Sequence, residues 1–373
     1  MNHNKGLITV FHSNHNMNVR STCGGLEIQR TTTDFEDFTG LVKGNFFQSY
    51  EFQQVLHEIG WRPIGIEFRK GNNFASAIAY SQDTMPLYNR VFSFYRVFYG
   101  PCMSPSNKKM NYDVLDLLLK KLCIAVKHNG GFCLEVRTPF PYRYGSAVFH
   151  NNGFMKTDFK GQYSVIIDLN RGIDLLWKDM KKFARRNIDN AIKKRVEIRG
   201  VETESELRQF YRIYIATSTR RDFTALPFQF FEALWNRLEP KGLVKYFLAW
   251  WKKKPIAGIL NTFFLQQSVP YVACSLDNFW NLHPNHLLFW HSLKWSKEVA
   301  GSTIFNLYHL PLKKDKTEST DYHTFKTCFG GRIVEECAYY RKVISPIRCK
   351  MLELYSKKLH KLRPSGFVSR SLL

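Results

Sequence analysis

Hydrophobic and polar positions follow their clearest pattern in the second half of the chain. Thr203-Glu204-Ser205-Glu206 has the form of a capping box, and apolar residues recur at helical spacing directly after it. Three strand-like runs follow at Leu243–Trp251, Pro255–Leu265 and Val269–Ser275. Because the segments between these runs are short, we expect neighbouring strands to be antiparallel. The pattern predicts a helix followed by a three-stranded antiparallel meander.

Further elements are predicted on both sides of this meander. They are a strand at Val196–Ile198, a helix that begins at Pro227, a helix from Pro284 to about Val299, a strand at Thr303–Tyr308, a helical turn near Thr324–Phe329 and a strand at Arg332–Tyr340. The resulting order is strand, two helices, three strands, helix, strand, helix and strand. This is the order of a GNAT acyltransferase domain.

The first half of the chain repeats this order more loosely. Its predicted elements are strands at Leu26–Gln29, Trp61–Arg69, Asn73–Ser81, Val91–Gly100, Phe132–Arg137 and Gln162–Asp168, and helices at Phe47–Ile59 and Tyr112–Lys127. Two similar halves make a tandem architecture the simplest interpretation. We therefore predict an α/β (α+β) fold with two tandem GNAT-like domains, each a mixed, mostly antiparallel sheet flanked by helices. The expected boundaries are a flexible N-terminus at 1–22, domains at 23–160 and 161–345, and a basic C-terminal helix or tail at 346–373.

A strongly basic segment, 173–195, joins the two halves. Its apolar residues recur at helical spacing and form one face, while lysine and arginine occupy the rest. This pattern is typical either of a solvated helix with one buried face or of a ridge that contacts phosphates. On the second interpretation the phosphate-binding residues are Lys178, Lys181, Lys182, Lys193 and Lys194. A second basic amphipathic stretch, Cys349–Arg363, either packs as a terminal helix or lies on an anionic membrane surface.

The charge and the cysteines limit the classes of function. The chain has 54 Lys and Arg against 31 Asp and Glu, a formal net charge of +23. Such an excess attracts nucleic acid, anionic membranes or pyrophosphate-bearing substrates, although a merely basic protein is the alternative. The eight Cys include no Cys-x-x-Cys pair, so we expect reduced thiols. We predict no metal site, because His286 and His291 are badly spaced for a shared helical ion. The N-terminus lacks the apolar core of a signal peptide, and we find no apolar run long enough to span a membrane. We therefore predict a cytoplasmic protein.

Several segments resemble the Fem family of peptidoglycan aminoacyl-transferases. They are LWKDMKKFARRNIDNAIKKRVEI, AWWKKKPIAGIL, HPNHLLFWHSLKWSKEVAGSTIFNLY and FKTCFGGRIVEE in the second half, and FFQSYEFQQVLHEIGW, YGP and Gly153-Phe154 in the first. The resemblance covers most of residues 40–345. It implies transfer of an amino acid from aminoacyl-tRNA to an amine of a peptidoglycan precursor, as in cell-wall interpeptide bridges, with no cofactor and no DNA partner.

The same resemblance assigns Lys326, with Phe325 beside it, to the transfer site. An ammonium near the ester oxygen would stabilise the anion that forms in the transition state. We expect it in a cleft between the two domains; the alternative is an ordinary surface lysine. We further predict that Tyr99, Gly100, Arg185, Arg186, Tyr271 and Asn285 bind substrate.

Two departures from the family pattern concern the acceptor. Cys102-Met103-Ser104 follows Gly100-Pro101, where family members often carry an acidic residue, and Phe52-Gln53-Gln54 stands where some members place a basic one. The first difference argues against a carboxylate base in the first domain, and the second leaves open an acceptor that differs from the usual precursor. Asp321, Glu335 and Glu336 lie near the predicted transfer loop at 313–323 and are candidates for assisting proton transfer.

The class of acyl donor is indicated by a motif that both GNAT-like halves lack. The glycine-rich turn that cradles the pyrophosphate of acetyl-CoA is missing from both YGPCMSPSNKKMNYD and LDNFWNLHPNH. This favours a larger, RNA-borne donor. Two alternatives remain open: an acyltransferase that acts on an exopolysaccharide or small-molecule amine with another donor, and a non-catalytic protein that binds RNA or a membrane surface. A lipid-linked precursor would add a peripheral location at the inner face of the membrane.

Overall fold

The computed structural model describes most of the chain. The described residues are 7–12 (main chain), 45–70, 73–87, 90–103, 112–141, 143–157, 163–310 and 319–351. They form two compact units, unit 1 drawn from Met1–Phe159 and Glu336–Val368, and unit 2 from Lys160–Glu335. The predicted strand at Leu26–Gln29, most of the predicted transfer loop and the C-terminal stretch beyond 351 lie outside the described residues.

Unit 1 is built on one sheet with the order β1-β2-β3-β4-β6-β15-β7, and β5 pairs with β3. Its strands are β1 Leu7–His12, β2 Arg62–Lys70, β3 Asn73–Leu87, β4 Arg90–Val97, β5 Cys102–Met103, β6 Gly131–Arg137, β7 Met155–Lys156 and β15 Tyr339–Val343. Its helices are α1 Tyr50–Glu58, α2 Tyr112–His128 and α3 Ser146–Asn151. The apolar face of α2 packs on the sheet through Leu115, Leu118, Leu119 and Leu122. Strand β1 lies within the predicted flexible N-terminus and pairs with β2 there.

Unit 2 is built on a second sheet with the order β14-β8-β13-β12-β11-β10-β9. Its strands are β8 Tyr163–Asp168, β9 Glu197–Gly200, β10 Val244–Trp251, β11 Lys254–Phe264, β12 Gln267–Ser275, β13 Ile304–Leu310 and β14 Arg332–Glu335. Its helices are α4 Ile173–Asp179, α5 Lys182–Lys193, α6 Glu204–Arg221, α7 Phe228–Leu238, α8 Pro284–Glu298 and α9 Ser319–Thr327. The capping box predicted at the start of α6 is present, and the predicted meander is β10-β11-β12.

The last strand of each half pairs in the sheet of the other half. Strand β8 lies between β13 and β14, and β15 lies between β6 and β7. The prediction of one strand at Arg332–Tyr340 is therefore wrong, because two short strands there pair in different sheets. The assignment of Gln162–Asp168 to the first half is wrong for the same reason. Local pattern predicts that a segment is extended, but it does not identify the strand that will pair with it.

The basic segment is also different from the single helix that its spacing predicts. It forms α4 and α5, with Met180 and Lys181 extended between them. The predicted inner face is buried at Met180, Ala184, Ile188 and Ala191. The apolar spacing is therefore confirmed and the continuity of the helix is not.

Each sheet contains one pair of parallel strands. One strand of the pair is the last strand of the meander, and the other is the strand after the next helix. In unit 1, β4 and β6 stay paired over five positions, from Ser93 with Gly131 to Val97 with Val136. In unit 2, β12 and β13 pair only at Gln267 with Ile304 and at Ser268 with Phe305. Beyond those two positions β12 remains paired with β11, and β13 remains paired with β8. The sheet of unit 2 therefore opens between β12 and β13.

Candidate active site

Both strands that border this opening are irregular. Tyr271 is an extra residue in β12, because Val272 pairs with Leu260 while Pro270 pairs with the next residue, Asn261. The register between β13 and β8 also shifts between Leu307 and Leu310, and His309 there has a φ of 59°. Bulges bend a strand and redirect its groups, and they are frequent beside active sites. The opening is therefore our candidate site.

Lys326 reaches the irregular part of β13 from α9. Its side chain is only 6% exposed. Nζ donates a hydrogen bond to the main-chain carbonyl of Tyr308 and lies 3.5 Å from that of His309. The ring of Tyr322 is 4.5 Å from the same nitrogen. The alternative interpretation of Lys326 as an ordinary surface lysine is wrong.

The charge of Lys326 is held by main-chain groups in the part of the chain that the structure describes. Within the part of the chain that the structure describes, no carboxylate lies at ion-pair distance from Nζ. Burying an ammonium is unfavourable unless it is hydrogen-bonded or paired, so its carbonyl partners must hold it in place. The arrangement fixes a positive charge beside the opening between β12 and β13.

Phe325 faces the other way, into an aromatic cluster on α8. Its ring centroid lies 5.1 Å from that of His286, 4.9 Å from Phe289 and 5.3 Å from Phe329. Burial, with a smaller contribution from the neighbouring His283, lowers the pKa of His286 to about 4. His286 is therefore neutral near pH 7 and packs as an aromatic ring. Phe325 anchors α9, and Lys326 on the adjacent side of the helix faces β13.

The end of α9 is fixed by the break between α4 and α5. The main-chain N–H of Lys181 donates to the carbonyl of Cys328 at 2.9 Å. A Cβ at Gly330, where φ is +86°, would lie 3.2 Å from Cβ of Asp179. The Phe-Gly-Gly turn that follows Lys326 therefore packs against the break between α4 and α5.

Arg185 stabilises this break. One terminal nitrogen of its guanidinium donates to the carbonyls of Lys178 at 2.7 Å and Met180 at 2.8 Å, and it lies 3.3 Å from that of Trp177. The carbonyls of Lys178 and Met180 lie at the end of α4, where helical partners are missing, while that of Trp177 also accepts from the main-chain N–H of Met180. Substrate binding by Arg185 stays a prediction, but one nitrogen of its guanidinium already donates hydrogen bonds to main-chain carbonyls. Its neighbour Arg186 is exposed.

The end of β12 is held by a cluster of polar side chains, of which only Asn285 was identified from the sequence. Asn285 donates to Oγ of Ser275 at 3.1 Å, so this predicted substrate-binding residue also positions the strand end. Thr217 and Arg220 of α6 donate to the carbonyl of Ser275 at 3.2 and 2.9 Å. The only hint in the sequence was a pair of polar residues, three apart, on a helix that packs on the sheet.

Tyr99 and Gly100 lie in unit 1 and pack in its interior. Tyr99 is 2% exposed, and the guanidinium of Arg137 lies 3.6 Å from its ring centroid. A Cβ at Gly100 would come within 2.7 Å of Val97 and 2.8 Å of the Gln48 amide, so only glycine fits there. Nearby, burial raises the pKa of Cys102 to about 12, and the thiol stays protonated at neutral pH. Contact of Tyr99 and Gly100 with substrate stays a prediction.

The five lysines that were predicted to bind phosphate point to solvent. Lys178, Lys181, Lys182, Lys193 and Lys194 are all exposed. The inner face of α4 and α5 is buried, so a packed helix and a phosphate-binding surface are compatible interpretations.

Comparison with known proteins gives the fold. Residues 178–310 match the family described as acetyltransferase (GNAT) domain. The chain superposes on the crystal structure of FemX with a TM-score of 0.70 and 14% identity, over 90% of this chain and 99% of FemX. The fold is that of FemX. A tandem GNAT protein from the clavulanic acid biosynthesis pathway is also similar, with a TM-score of 0.53 and 7% identity over 77% of this chain and 84% of its own.

The FemX fold confirms the predicted α/β architecture with two tandem GNAT-like domains, and the family match identifies an acetyltransferase-type domain in the second half. No curated protein matches the sequence. In the described part of the chain, no helix combines the length and apolar character needed to cross a bilayer.

Proposed function

We propose that this chain is an N-acyltransferase of Fem type, which transfers an amino acid from aminoacyl-tRNA to an amine of a peptidoglycan precursor. The observation that carries the proposal is Lys326, a buried ammonium held by main-chain carbonyls beside the opening in the sheet of unit 2. A charge held in this way needs no reorganisation during the reaction, which is the condition for strong electrostatic stabilisation of a transition state.

In the proposed reaction the acceptor amine attacks the carbonyl carbon of the aminoacyl ester. The new N–C bond forms as the C–O bond to the ribose breaks, and one proton passes from the amine to the leaving ribose oxygen. The products are an amide and a tRNA with a free hydroxyl. Negative charge on the carbonyl oxygen peaks in between, and Lys326 donates to that oxygen. Phe325 acts as a positioning residue that fixes α9.

The segment before α8 supports an RNA-borne donor over acetyl-CoA. In acetyl-CoA enzymes of this class a glycine-rich turn brings main-chain N–H groups to the pyrophosphate. Here residues 276–283 contain no glycine, and Asp277–Leu282 forms a 3₁₀ turn with the rings of Phe279 and Trp280. This segment leaves little free main chain for a pyrophosphate.

The acceptor is the less constrained half of the proposal. The thiol of Cys102 occupies the region where related sequences place a carboxylate, and it is buried and protonated. A second candidate function follows from this difference, namely acylation of an exopolysaccharide or small-molecule amine with another donor. For the tRNA-dependent reaction we propose a cytoplasmic location, since charged tRNA is made there, and a peripheral membrane location if the acceptor is lipid-linked.

Mass spectrometry of reaction mixtures tests the proposal directly. The purified full chain is incubated with a mixture of charged tRNAs or with acetyl-CoA, each against peptidoglycan precursors and a panel of soluble amines. We expect a precursor whose mass has increased by one aminoacyl group, and only with charged tRNA. Acetylated product would support the second candidate, and absence of adducts across the panel would exclude the proposed reaction.

Two lysine variants separate catalysis from packing. Lys326→Met removes the ammonium but keeps the length of the side chain, and we expect kcat to fall by about 10²-fold or more. Lys297→Met is the matched control, because Lys297 is half-buried in the same unit and its Nζ also donates to a main-chain carbonyl, that of Leu169 at 2.6 Å. Equal losses in the two variants would show that Lys326 only stabilises the fold.

A further inference from the structure

Two groups of three basic residues, 57 positions apart in the sequence, meet at one edge of unit 2. The first, Lys193, Lys194 and Arg195, ends α5, and the second, Lys252, Lys253 and Lys254, forms the turn between β10 and β11. Trp251 joins them, since its indole N–H donates to the carbonyl of Lys194 at 3.1 Å. We call the six basic residues together with Trp251 the cationic edge.

Among the described residues, no acidic partner neutralises the charges of the cationic edge. All six basic side chains are exposed. Within the described residues none of them forms an ion pair with a carboxylate, and Glu197, directly beyond the first group, pairs with Arg199 instead. Such a cluster of exposed cations concentrates polyanions at the surface.

Aromatic rings lie between the charges. Nζ of Lys252 is 4.5 Å from the ring centroid of Trp251, and Nζ of Lys254 is 5.3 Å from that of Phe279. The two rings are 5.9 Å apart. The ring of Trp280, in the same 3₁₀ turn as Phe279, is 48% exposed. Cations beside accessible ring faces match a strand in which phosphates and bases alternate.

The cationic edge borders the open end of the candidate site. Ser275, the last residue of β12, pairs with Ala257 on β11, only a few residues from the turn at Lys252 and Lys253. The segment that leaves β12 returns to the cationic edge, where Nζ of Lys194 donates to the carbonyl of Asn281 at 2.8 Å. At this same end of the sheet, β12 and β13 are not paired with each other.

We propose that the cationic edge binds the single-stranded 3′ end of an RNA and directs it into the opening between β12 and β13. The inference deepens the proposed function, because it names the surface that receives the donor. The alternation of charge and ring face favours RNA, in which phosphates and bases alternate. Because Ile192, beside Lys193, is also exposed, binding to an anionic membrane is measured as a separate outcome.

The turns of unit 2 offer a matched pair of variants. Lys252 and Lys253 have φ of 48° and 61°, and Leu265 and Gln266, in the turn at the other end of β11, have φ of 44° and 63°. Both are two-residue hairpin turns, for which Asn-Gly is the preferred sequence. K252N/K253G therefore removes two charges while it favours the turn, and L265N/Q266G makes the same change of main-chain preference without removing charge.

Binding is measured by fluorescence anisotropy with two labelled probes, an acceptor-stem hairpin that ends in a single-stranded CCA tail and the same hairpin without the tail. We expect the wild type and L265N/Q266G to prefer the tailed probe. For K252N/K253G we expect affinity to fall by several-fold at about 0.1 M salt, and the slope of log K against log salt to become shallower by about 1.4, or about 0.7 for each lost contact.

The outcomes distinguish this inference from the proposed function. Unchanged RNA affinity in K252N/K253G would overturn the inference even if transfer from charged tRNA is observed. Charge-dependent binding of the tail without transfer to any acceptor would support the inference and contradict the proposed function. Loss of binding to vesicles that contain anionic lipid, with RNA binding intact, would replace RNA by a membrane surface as the partner.

Discussion

The parallel strand pairs of the two units have the same place in the chain order but different geometry. In unit 1, β4 and β6 stay paired over five positions despite a register shift between Ser93 and Phe94, and the sheet is continuous there. In unit 2, β12 and β13 separate after two positions, and each strand is irregular beside the opening. The buried Lys326 reaches the opened pair. The difference shows that a repeated strand order need not repeat a site.

The helices that follow the two parallel pairs differ in the same sense. In unit 1, Phe149 of α3 stacks on Tyr340 with ring centroids 4.0 Å apart and an angle of 8° between the rings. In unit 2, the corresponding helix α9 packs through Phe325 and leaves Lys326 to face β13. Helix α3 therefore contributes an aromatic ring to the core of unit 1, whereas α9 places the ammonium of Lys326 against β13.

The largest expected effect comes from two glycines that allow close approach of main chain. A Cβ at Gly331, where φ is +84°, would lie 2.5 Å from the carbonyl oxygen of Ile166, and a Cβ at Gly131 would lie 2.7 Å from that of Val126. We expect Gly331→Ala to destabilise unit 2 by about 3 kcal/mol or more, since strain and a clash with main chain combine. Transfer should be lost because α9 is displaced.

Gly131→Ala serves as the counterpart in unit 1. Denaturant unfolding should show a loss of stability there, while transfer per folded molecule stays close to wild type. If Gly131→Ala and Gly331→Ala lose transfer equally, our assignment of the reaction to the opening between β12 and β13 is incorrect.

Acid should weaken unit 2 through His286. Burial lowers its folded-state pKa to about 4, from 6.5, so the unfolded chain binds the proton first as the pH falls. Stability is unaffected above about pH 6.5, decreases between about 6.5 and 4, and loses at most about 3 kcal/mol. Urea unfolding at pH 7 and pH 5 measures this loss.

His286→Phe keeps a ring in the aromatic cluster and should reduce this pH dependence. A smaller dependence of the same sign should remain, because burial also lowers the pKa of His283 and that of His291. His57→Phe, at an exposed position on α1, is the control in unit 1. A wild-type pH dependence that persists in His286→Phe would assign the acid sensitivity to another group.

A smaller effect is expected at the break between α4 and α5. Arg185→Met leaves the carbonyls of Lys178 and Met180 without their partner, and we expect a cost of about 1–2 kcal/mol. If Arg185 acts by positioning α9, kcat should fall several-fold while KM for the donor stays unchanged. Arg186→Met, at the exposed neighbouring position, is the control. A rise in donor KM in the Arg185 variant alone would instead support direct substrate binding.

The smallest effect is expected where the two units are most alike. Thr203 caps α6 and Ser49 caps α1, each through a side-chain oxygen that accepts from a main-chain N–H. Replacing either by Ala should cost about 1 kcal/mol, measured by denaturant unfolding, and should leave transfer unchanged. Loss of activity in either variant would show that the helix start contributes to the site.

Local features of the fold were predictable because their causes are local. The capping box at Thr203, the hairpins around 71–72 and 252–253, and helix α2 each follow from residues within a few positions of one another. The exchange of β8 and β15 was not predictable in this way. Only Glu336, Cys337 and Ala338 separate β14 from β15, and nothing in them states that the next strand pairs in the other sheet.

The candidate site shows the same division. Lys326 and Phe325 were identified in the sequence by family resemblance, and their side chains point to different neighbours, as adjacent helical positions must. The burial of Lys326 depends on the irregular part of β13, which has no marker in Tyr308-His309. The break after Asp179 likewise lacks a glycine or proline; it is held by Arg185 and by Cys328, which is distant in the sequence.

By itself, then, the sequence determined which segments become helices and strands, the duplication of their order and the positive charge, because periodicity, caps and turns act over short distances. Tertiary structure alone decided that one parallel pair opens and the other stays closed, that two strands are exchanged, and that two lysine-rich segments meet at one edge. These outcomes depend on which distant segments pack together, and free energies of packing are summed over contacts that no single stretch of sequence contains.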